Sequence, residues 1–478
     1  MNVINLLKRC KWCHGSQMNQ YIMAIMVTMP TMMVGMLLGW MSPTIPILQD
    51  VDGPLPEPIQ DSDLSWLASS TFLVAFPCML VAGLVADKIG RKNAILITSF
   101  SFLACWLMKL IWVQSKLLIL ARAVSGVGNA GCYVIPPMYT NEISDENIRG
   151  SLGSMLILAQ NLGFLVMYLI GDMLSFRTVL WISFLIPLIH FILFMLLPDS
   201  PSYLVKKGRI EEATEVLAWL RSVESTDKQV VEDIDKLHAE VKEIESRSES
   251  AWKSLCSNAT RLKAFGISVT ALTIQESCGF LILMTYASLV FEKAGSGSAV
   301  TPNQQAMVLA AVQLLGSFAA MFLIEKMGRK SLLLLMSFMT GTAMLILGTW
   351  FFLNVSHDLP GWIPIAAMCV SIFCTAAGFQ PVPYVLLPEL FNFQLRGLVS
   401  SIAVSMTGLS DFLQTATFTP LANAINIYGV FWMFAAICYF GTVFTIMYIP
   451  ETKGRKLDEI YELIENNKLC GKNNKTQP

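Results

Sequence analysis

A chain of 478 residues with 54% hydrophobic and only 14% charged side chains, at a mean hydropathy of +0.57, carries more apolar surface than a water-soluble fold can bury. It reads as a membrane protein. The formal net charge of −1 leaves no global basic surface, which argues against nucleic acid as a partner and makes the placing of charges more informative than their sum.

Residues 1–21 are mixed and basic, without the short apolar core and small-residue cleavage site of a removable leader. Within them, Cys10-Lys-Trp-Cys13-His14 matches a haem-attachment spacing. It occurs once, beside Lys8, Arg9 and Lys11, with no second ligand cluster, so it is read as reduced thiols near the inner leaflet, with no cofactor and no metal. Six apolar runs follow at 22–47, 65–86, 94–113, 117–140, 152–170 and 179–197, each approaching the roughly 20 residues needed to cross a hydrocarbon core. The first contains no charged side chain. His190, among Leu, Ile and Phe on the sixth, is read as a neutral packed imidazole rather than a proton relay.

Residues 198–262 are too polar to cross and have helical period. Ile210, Ala213, Val216, Leu217 and Leu220 share one face, as do Val231, Ile234, Leu237, Val241 and Ile244, which predicts amphipathic helices packed beneath the membrane part. Six more runs lie at 264–291, 304–324, 332–352, 363–387, 398–420 and 430–449, completing twelve. Lys and Arg gather at Lys88, Arg91, Lys92, Arg149, the middle segment, Lys326, Arg329, Lys330, Arg396 and Lys453 to Lys456. The positive-inside rule therefore places both termini and the middle segment in the cytosol. Asn354-Val-Ser356 is then the one outward-facing glycosylation sequon, whereas Asn258-Ala-Thr260 faces the wrong side.

The chain repeats itself. Asp87-Lys-Ile-Gly90-Arg91-Lys92 returns as Glu325-Lys-Met-Gly328-Arg329-Lys330, and Glu142 with Arg149-Gly150 returns as Glu389 with Arg396-Gly397. The turn at 83–92 resembles the loop between helices 2 and 3 of the major facilitator superfamily. Pro137-Met-Tyr139 leading to Glu142, Pro198-Asp-Ser-Pro-Ser202, Gln275-Glu276, Pro381-Val-Pro383 and Pro450-Glu-Thr-Lys-Gly454 are similar to the sugar porter family, and Gly39-Trp40-Met-Ser42-Pro43 is similar to its insect trehalose and glucose carriers. The expected fold is thus an all-α membrane protein of twelve transmembrane helices in two six-helix bundles, the major facilitator fold, with a cytosolic helical middle segment. Its parts are a cytosolic N-terminus (1–21), a first bundle (22–197), the middle segment (198–262), a second bundle (263–449) and a cytosolic tail (450–478).

The resemblance implies a solute site near the midplane, alternating access by rocking of the halves, and a gating network at the cytosolic helix ends. Carried onto this chain, that network is Asp87, Arg91, Glu142, Arg149 and Asp199 in the first half, and Glu325, Arg329, Glu389, Arg396 and Glu451 in the second. Gln275 and Gln313 match polar family positions on spans 7 and 8, where an amide suits a sugar hydroxyl because it both donates and accepts. Tyr384 stands where the family has Trp, and Pro381 and Pro383 break span 10. Gln160 and Asn161 supply amides on span 5, where the family glutamine is replaced by Ile157. The family asparagine on span 7 is Leu281 here, and Thr407-Gly408 replaces an Asn-Trp pair on span 11.

Glu276 and Asp411 replace the family's Gln and Asn, and a carboxylate in mid-membrane must face the solute cavity or be protonated. The function expected is facilitative transport of a hexose, a disaccharide such as trehalose, or a polyol, at the plasma membrane, by a monomer in the lipid bilayer. A proton-coupled or cation-accepting carrier is one alternative, and a non-transporting sugar sensor is another. An enzyme is not expected, because the polar residues of the spans form no nucleophile-base-orienter set.

Overall fold

The computed structural model describes residues 17–145, 148–246, 251–294, 301–354 and 359–466. Cys10, Cys13, His14, Ser356 and the tail beyond 466 lie outside them. Among the described residues, eleven helical stretches are long and apolar enough to cross a membrane, and the last, Leu395–Tyr448, is 54 residues long. It is two spans. Asn426 interrupts it at φ 63° and ψ 162°, outside helical geometry, and Asn is one of the few residues that tolerates positive φ. Twelve crossings result. Backbone polar groups in hydrocarbon have no water to bond, so helices are the economical solution for such apolar runs.

Several spans are broken, span 10 at the prolines where the sequence predicted a break and spans 1 and 7 where it suggested continuity. The first span is Met18–Gly39 followed directly by Met41–Gln49. Span 7, expected as one helix, runs Ala259–Glu276, Phe280–Thr285 and Ala287–Ala294, with Gly279 in the left-handed region at φ 85° between the first two pieces. Span 10 passes from Trp362–Cys374 through a π turn, Thr375–Phe379, into Pro381–Leu390, closed by a Gln380 N–H to Thr375 C=O bond of 2.8 Å. Pro381 has no N–H and crowds the preceding turn, so a widened turn before it is the physical outcome.

The middle segment forms Pro201–Lys206, Ile210–Arg221, Lys228–Ser246 and Ala251–Cys256. Ala213, Val216, Leu217 and Leu220 are buried against Met23, Val27, Tyr139 and Phe194 at the foot of the first bundle, as the periodicity of that helix predicts. Asn19 Nδ2 donates to the Trp219 carbonyl at 2.7 Å, and Arg221 is ion-paired with Asp145 and, at 3.4 Å, with Asp233. The next helix corrects the sequence reading by one register. Val231 is 49% exposed and Val230 is fully buried, so the inner face runs 230, 234, 237. Both registers satisfy a helical period, and the docking surface chooses between them. Val241 and Ile244 have side chains outside the described residues.

At the end of the molecule away from the charged turns, the halves are bonded together. Ser42 and Ser288 hydroxyls lie 2.9 Å apart, Tyr168 donates to the Met284 carbonyl, and Asn423 Nδ2 reaches Asp61 at 3.3 Å. That side is closed. His190 is held between the Ser99 hydroxyl at Nδ1 and the Met26 carbonyl at Nε2, both at 2.9 Å.

Candidate functional site

At the charged turns the two halves carry the same construction. Gly90 (φ 96°) and Gly328 (φ 85°) each end one helix and start the next, in a backbone region that side chains disfavour. The following N–H groups point at a carboxylate. Asp199 Oδ1 accepts from Arg91 N at 3.0 Å and Lys92 N at 3.2 Å, and Glu451 accepts from Arg329 N at 2.9 Å and Lys330 N at 3.2 Å. A carboxylate over the first N–H groups of a helix satisfies orphan donors and complements the helix dipole. Burial pushes the Asp199 carboxyl up from the usual range, while the three N–H bonds from Ser200, Lys92 and Arg91 favour its ionised form.

The arginines then turn back within their own half. Arg91 forks onto Glu142 through Nε at 2.9 Å and Nη2 at 2.8 Å, and its Nη1 meets Asp87 at 2.9 Å. Arg329 reaches Glu389 through Nε at 3.1 Å and Nη2 at 2.7 Å, and Thr452 donates to the second Glu389 oxygen at 2.5 Å. Arg91 and Arg329 each pair within their own half, and Asp87 also meets Lys206 of the middle segment at 3.8 Å. Arg396 donates to the Phe391 carbonyl at 3.0 Å rather than to an acid, Glu325 is exposed, and the Arg149 side chain lies outside the described residues.

The central candidates separate into two groups. Asn161 and Gln313 bond each other: Gln313 Nε2 donates to Asn161 Oδ1 at 2.7 Å and Asn161 Nδ2 reaches Ser317 at 2.5 Å, while Gln313 Oε1 stays buried without a partner. They form a buried cross-link between span 5 and span 8. Span 5 is fixed there because it touches span 1 backbone to backbone, where a Cβ on Gly35 would fall 1.9 Å from the Gln160 carbonyl. Gln160 itself donates to the Tyr133 hydroxyl at 3.2 Å.

The second group lies where span 7 is broken. Tyr384 donates to Glu276 Oε1 at 3.1 Å. Gln414 Nε2 donates at 2.9 Å both to Asp411 Oδ1 and to the Glu276 backbone carbonyl, so one amide ties the two acids together. Gln275 is fully buried, and neither its amide nitrogen nor its oxygen finds a hydrogen-bond partner of good geometry. Tyr133 of the first half and Tyr384 of the second pack on the same small cluster of Ala75, Met79, Ala130 and Val404, which places this group where the halves meet.

Sequence reasoning missed Tyr133, Gln414 and two buried cations. Lys109 is fully buried with its Nζ 3.6 Å from the Trp40 ring centre and 4.1 Å from that of Trp106. Arg122, also buried, donates to the Leu37 carbonyl at 3.0 Å. Lys109 and Arg122 are each the single charged residue of their apolar run, and only an unusual residue type inside a span flags them. Among the described residues, no three His, Cys, Asp or Glu side chains gather as a metal site would require.

Two bundles joined at one end, paired charged turns at the other and polar side chains between them describe a carrier's framework. The family model for sugar (and other) transporters matches residues 23–464. The chain belongs to that family. Among relatives in it, the facilitated trehalose transporter Tret1 of Culex quinquefasciatus is 28% identical over 95% of this chain and 86% of that protein. Tret1 of Apis mellifera ligustica is 29% identical over 92% and 87%. Among solved structures, the inward open conformation of the xylose transporter XylE from E. coli superposes with a TM-score of 0.77 at 20% identity, covering 93% of this chain and all of that one. A partially occluded inward open form of XylE gives 0.75 at 19% identity, with 92% and 99% covered. These structures share the major facilitator fold with this sugar transporter family member. A membrane carrier is what the family supplies, and not an enzyme.

Proposed function

We propose that this carrier moves a sugar down its gradient by alternating access, the solute being a hexose, a disaccharide such as trehalose, or a polyol. It acts as a monomer in the plasma membrane, with both termini and the middle segment cytosolic and Asn354 facing out as the glycosylation acceptor. The moving bodies are the bundles at 22–197 and 263–449, and the segment at 198–262 rides beneath the first. The observation that carries this reading is Gln275, buried beside Glu276 with neither amide atom held in a hydrogen bond of good geometry. A buried amide left unpaired costs about 1–3 kcal/mol, and a sugar hydroxyl arriving there offers both a donor and an acceptor. Glu276, Tyr384 and Asp411 complete the contact surface. Gln160 lines the first-half side, and Asn161 and Gln313 serve chiefly as the cross-link beside it. Arg91, Glu142, Arg329 and Glu389, with Asp199 and Glu451 on the adjacent N–H groups, hold each bundle rigid as it rocks.

The names of the insect relatives support a facilitative mechanism and a trehalose-sized solute. Uptake of a labelled panel of hexoses, trehalose and polyols into proteoliposomes tests it. Saturable flux of at least one sugar that stops at equilibrium is expected. Sugar binding without flux of any panel member would make the protein a sensor instead. The uncompensated pair Glu276 and Asp411 favours a second reading, a carrier that accepts a cation along with or within its solute.

A further inference from the structure

The acid pair is the feature that a neutral sugar does not explain. Glu276 and Asp411 sit on separate helices and are joined through the Gln414 amide, which bonds Asp411 Oδ1 and the Glu276 carbonyl at 2.9 Å each. Asp411 is 8% exposed, while Glu276 and Tyr384 keep partial exposure where the halves meet. The groups bonded to these carboxylates are donors: the Tyr384 hydroxyl on Glu276 and the Gln414 amide on Asp411. Among the described residues, no Lys or Arg forms an ion pair with either one, and the buried cations of the membrane part are engaged elsewhere, Lys109 between two indole rings and Arg122 on the Leu37 carbonyl. Burying two carboxylates without a counter-charge is costly unless a proton or another cation neutralises them.

An inorganic ion held by protein alone wants six or more oxygens for Ca²⁺, or an octahedral set for Mg²⁺, and among the described residues no third acidic side chain joins this pair. What does lie beside it is Gln275, whose amide interacts with the Glu276 side chain and makes no other hydrogen bond, and the unpaired Oε1 of Gln414. An ammonium group would meet the acid pair, and a frame of hydroxyls would meet the amides of Gln275 and Gln414 beside it.

We infer that the solute site selects a polyhydroxylated solute bearing a protonated amine, an amino sugar, over its neutral counterpart, with Glu276 and Asp411 as the specificity-determining pair. The inference rests on the carrier reading above and refines its substrate class. A charge-assisted bond to such a pair gives about tenfold discrimination.

The test compares glucosamine, glucose and N-acetylglucosamine as entrants and as competitors in proteoliposomes, for the native chain, Glu276→Gln and Asp411→Asn. Glucosamine favoured about tenfold over glucose, with N-acetylglucosamine losing the advantage and the ratio falling toward one in either variant, supports the inference. Glu276→Gln retains an oxygen for Tyr384, so it remains informative if Asp411→Asn does not fold. Flux of glucose without preference for glucosamine overturns the inference and leaves the carrier reading standing. So does a preference that survives both substitutions. Accumulation of glucose driven by an imposed pH difference and lost in either variant assigns the pair to a proton instead. No flux of any sugar, in any variant, removes the carrier reading and the inference with it.

Discussion

The first charged turn is tied more tightly than the second. Arg91 holds Glu142 and Asp87 together, with 8% of its side chain exposed, whereas Arg329 holds Glu389 alone with 17% exposed. Their acid partners follow the same order, Glu142 at 16% and Glu389 at 27%. Glu325, the counterpart of Asp87, makes no ion pair among the described residues. Duplicated sequence has thus given duplicated geometry at the glycine and at the carboxylate on the N–H groups, but unequal desolvation at the arginine. Exposed pairs contribute about 0–1 kcal/mol and charge-assisted, partly buried forks about twice a neutral bond, so the halves should differ in how much they lose when cut.

The largest effect is expected at Gly90. A Cβ there would lie 2.2 Å from Asp199 Oδ2 in a backbone region costing roughly 1–3 kcal/mol for a side chain, so Gly90→Ala should lower folded yield, read by size-exclusion profile and surface expression. Gly328→Ala meets Glu451 at 2.6 Å, and a flexible glutamate has one more bond with which to retreat, so its loss should be smaller. Next comes the arginine itself. Arg91→Ala should cut sugar flux about tenfold or more at equal surface level, since a hydrogen bond to a charged group contributes about 1.5–3 kcal/mol. Arg329→Ala should lose less, and equal losses would erase the asymmetry. Lys at position 91 should rescue poorly, because it cannot fork onto Glu142 while reaching Asp87. The smallest effect separates the two acids four residues upstream of the arginines. Asp87→Asn should lower flux by no more than about threefold, in the range of an exposed pair, and Glu325→Gln should leave it unchanged.

How much of this was legible depended on whether a feature repeats or is local. Asp87, Arg91, Glu142 and their partners in the second half could be found because the motif occurs twice, and two copies exclude chance better than one. Val216, Leu217 and Leu220 were legible because a full face recurs at helical spacing. The register of Val230 against Val231 was not, since two overlapping faces satisfied the period and only the surface beneath decides. The Asn161 to Gln313 bond joins residues 152 apart in sequence, a contact that no local pattern encodes. Lys109 and Arg122 disappeared into apolar averages that still read as spans. Glu276 and Asp411 stood out by residue type, but not their link through Gln414.

The central claim is that a sugar crosses by way of the site at the broken span 7, and Gln275 tests it most directly. Equilibrium exchange of labelled against unlabelled sugar in proteoliposomes, for the native chain and Gln275→Ala at matched incorporation, is the measurement. The account predicts saturable exchange in the native protein, reduced about tenfold or more by loss of an amide that bonds the solute in both senses. Native exchange that Gln275→Ala leaves unchanged would contradict it, and would move the solute path away from span 7.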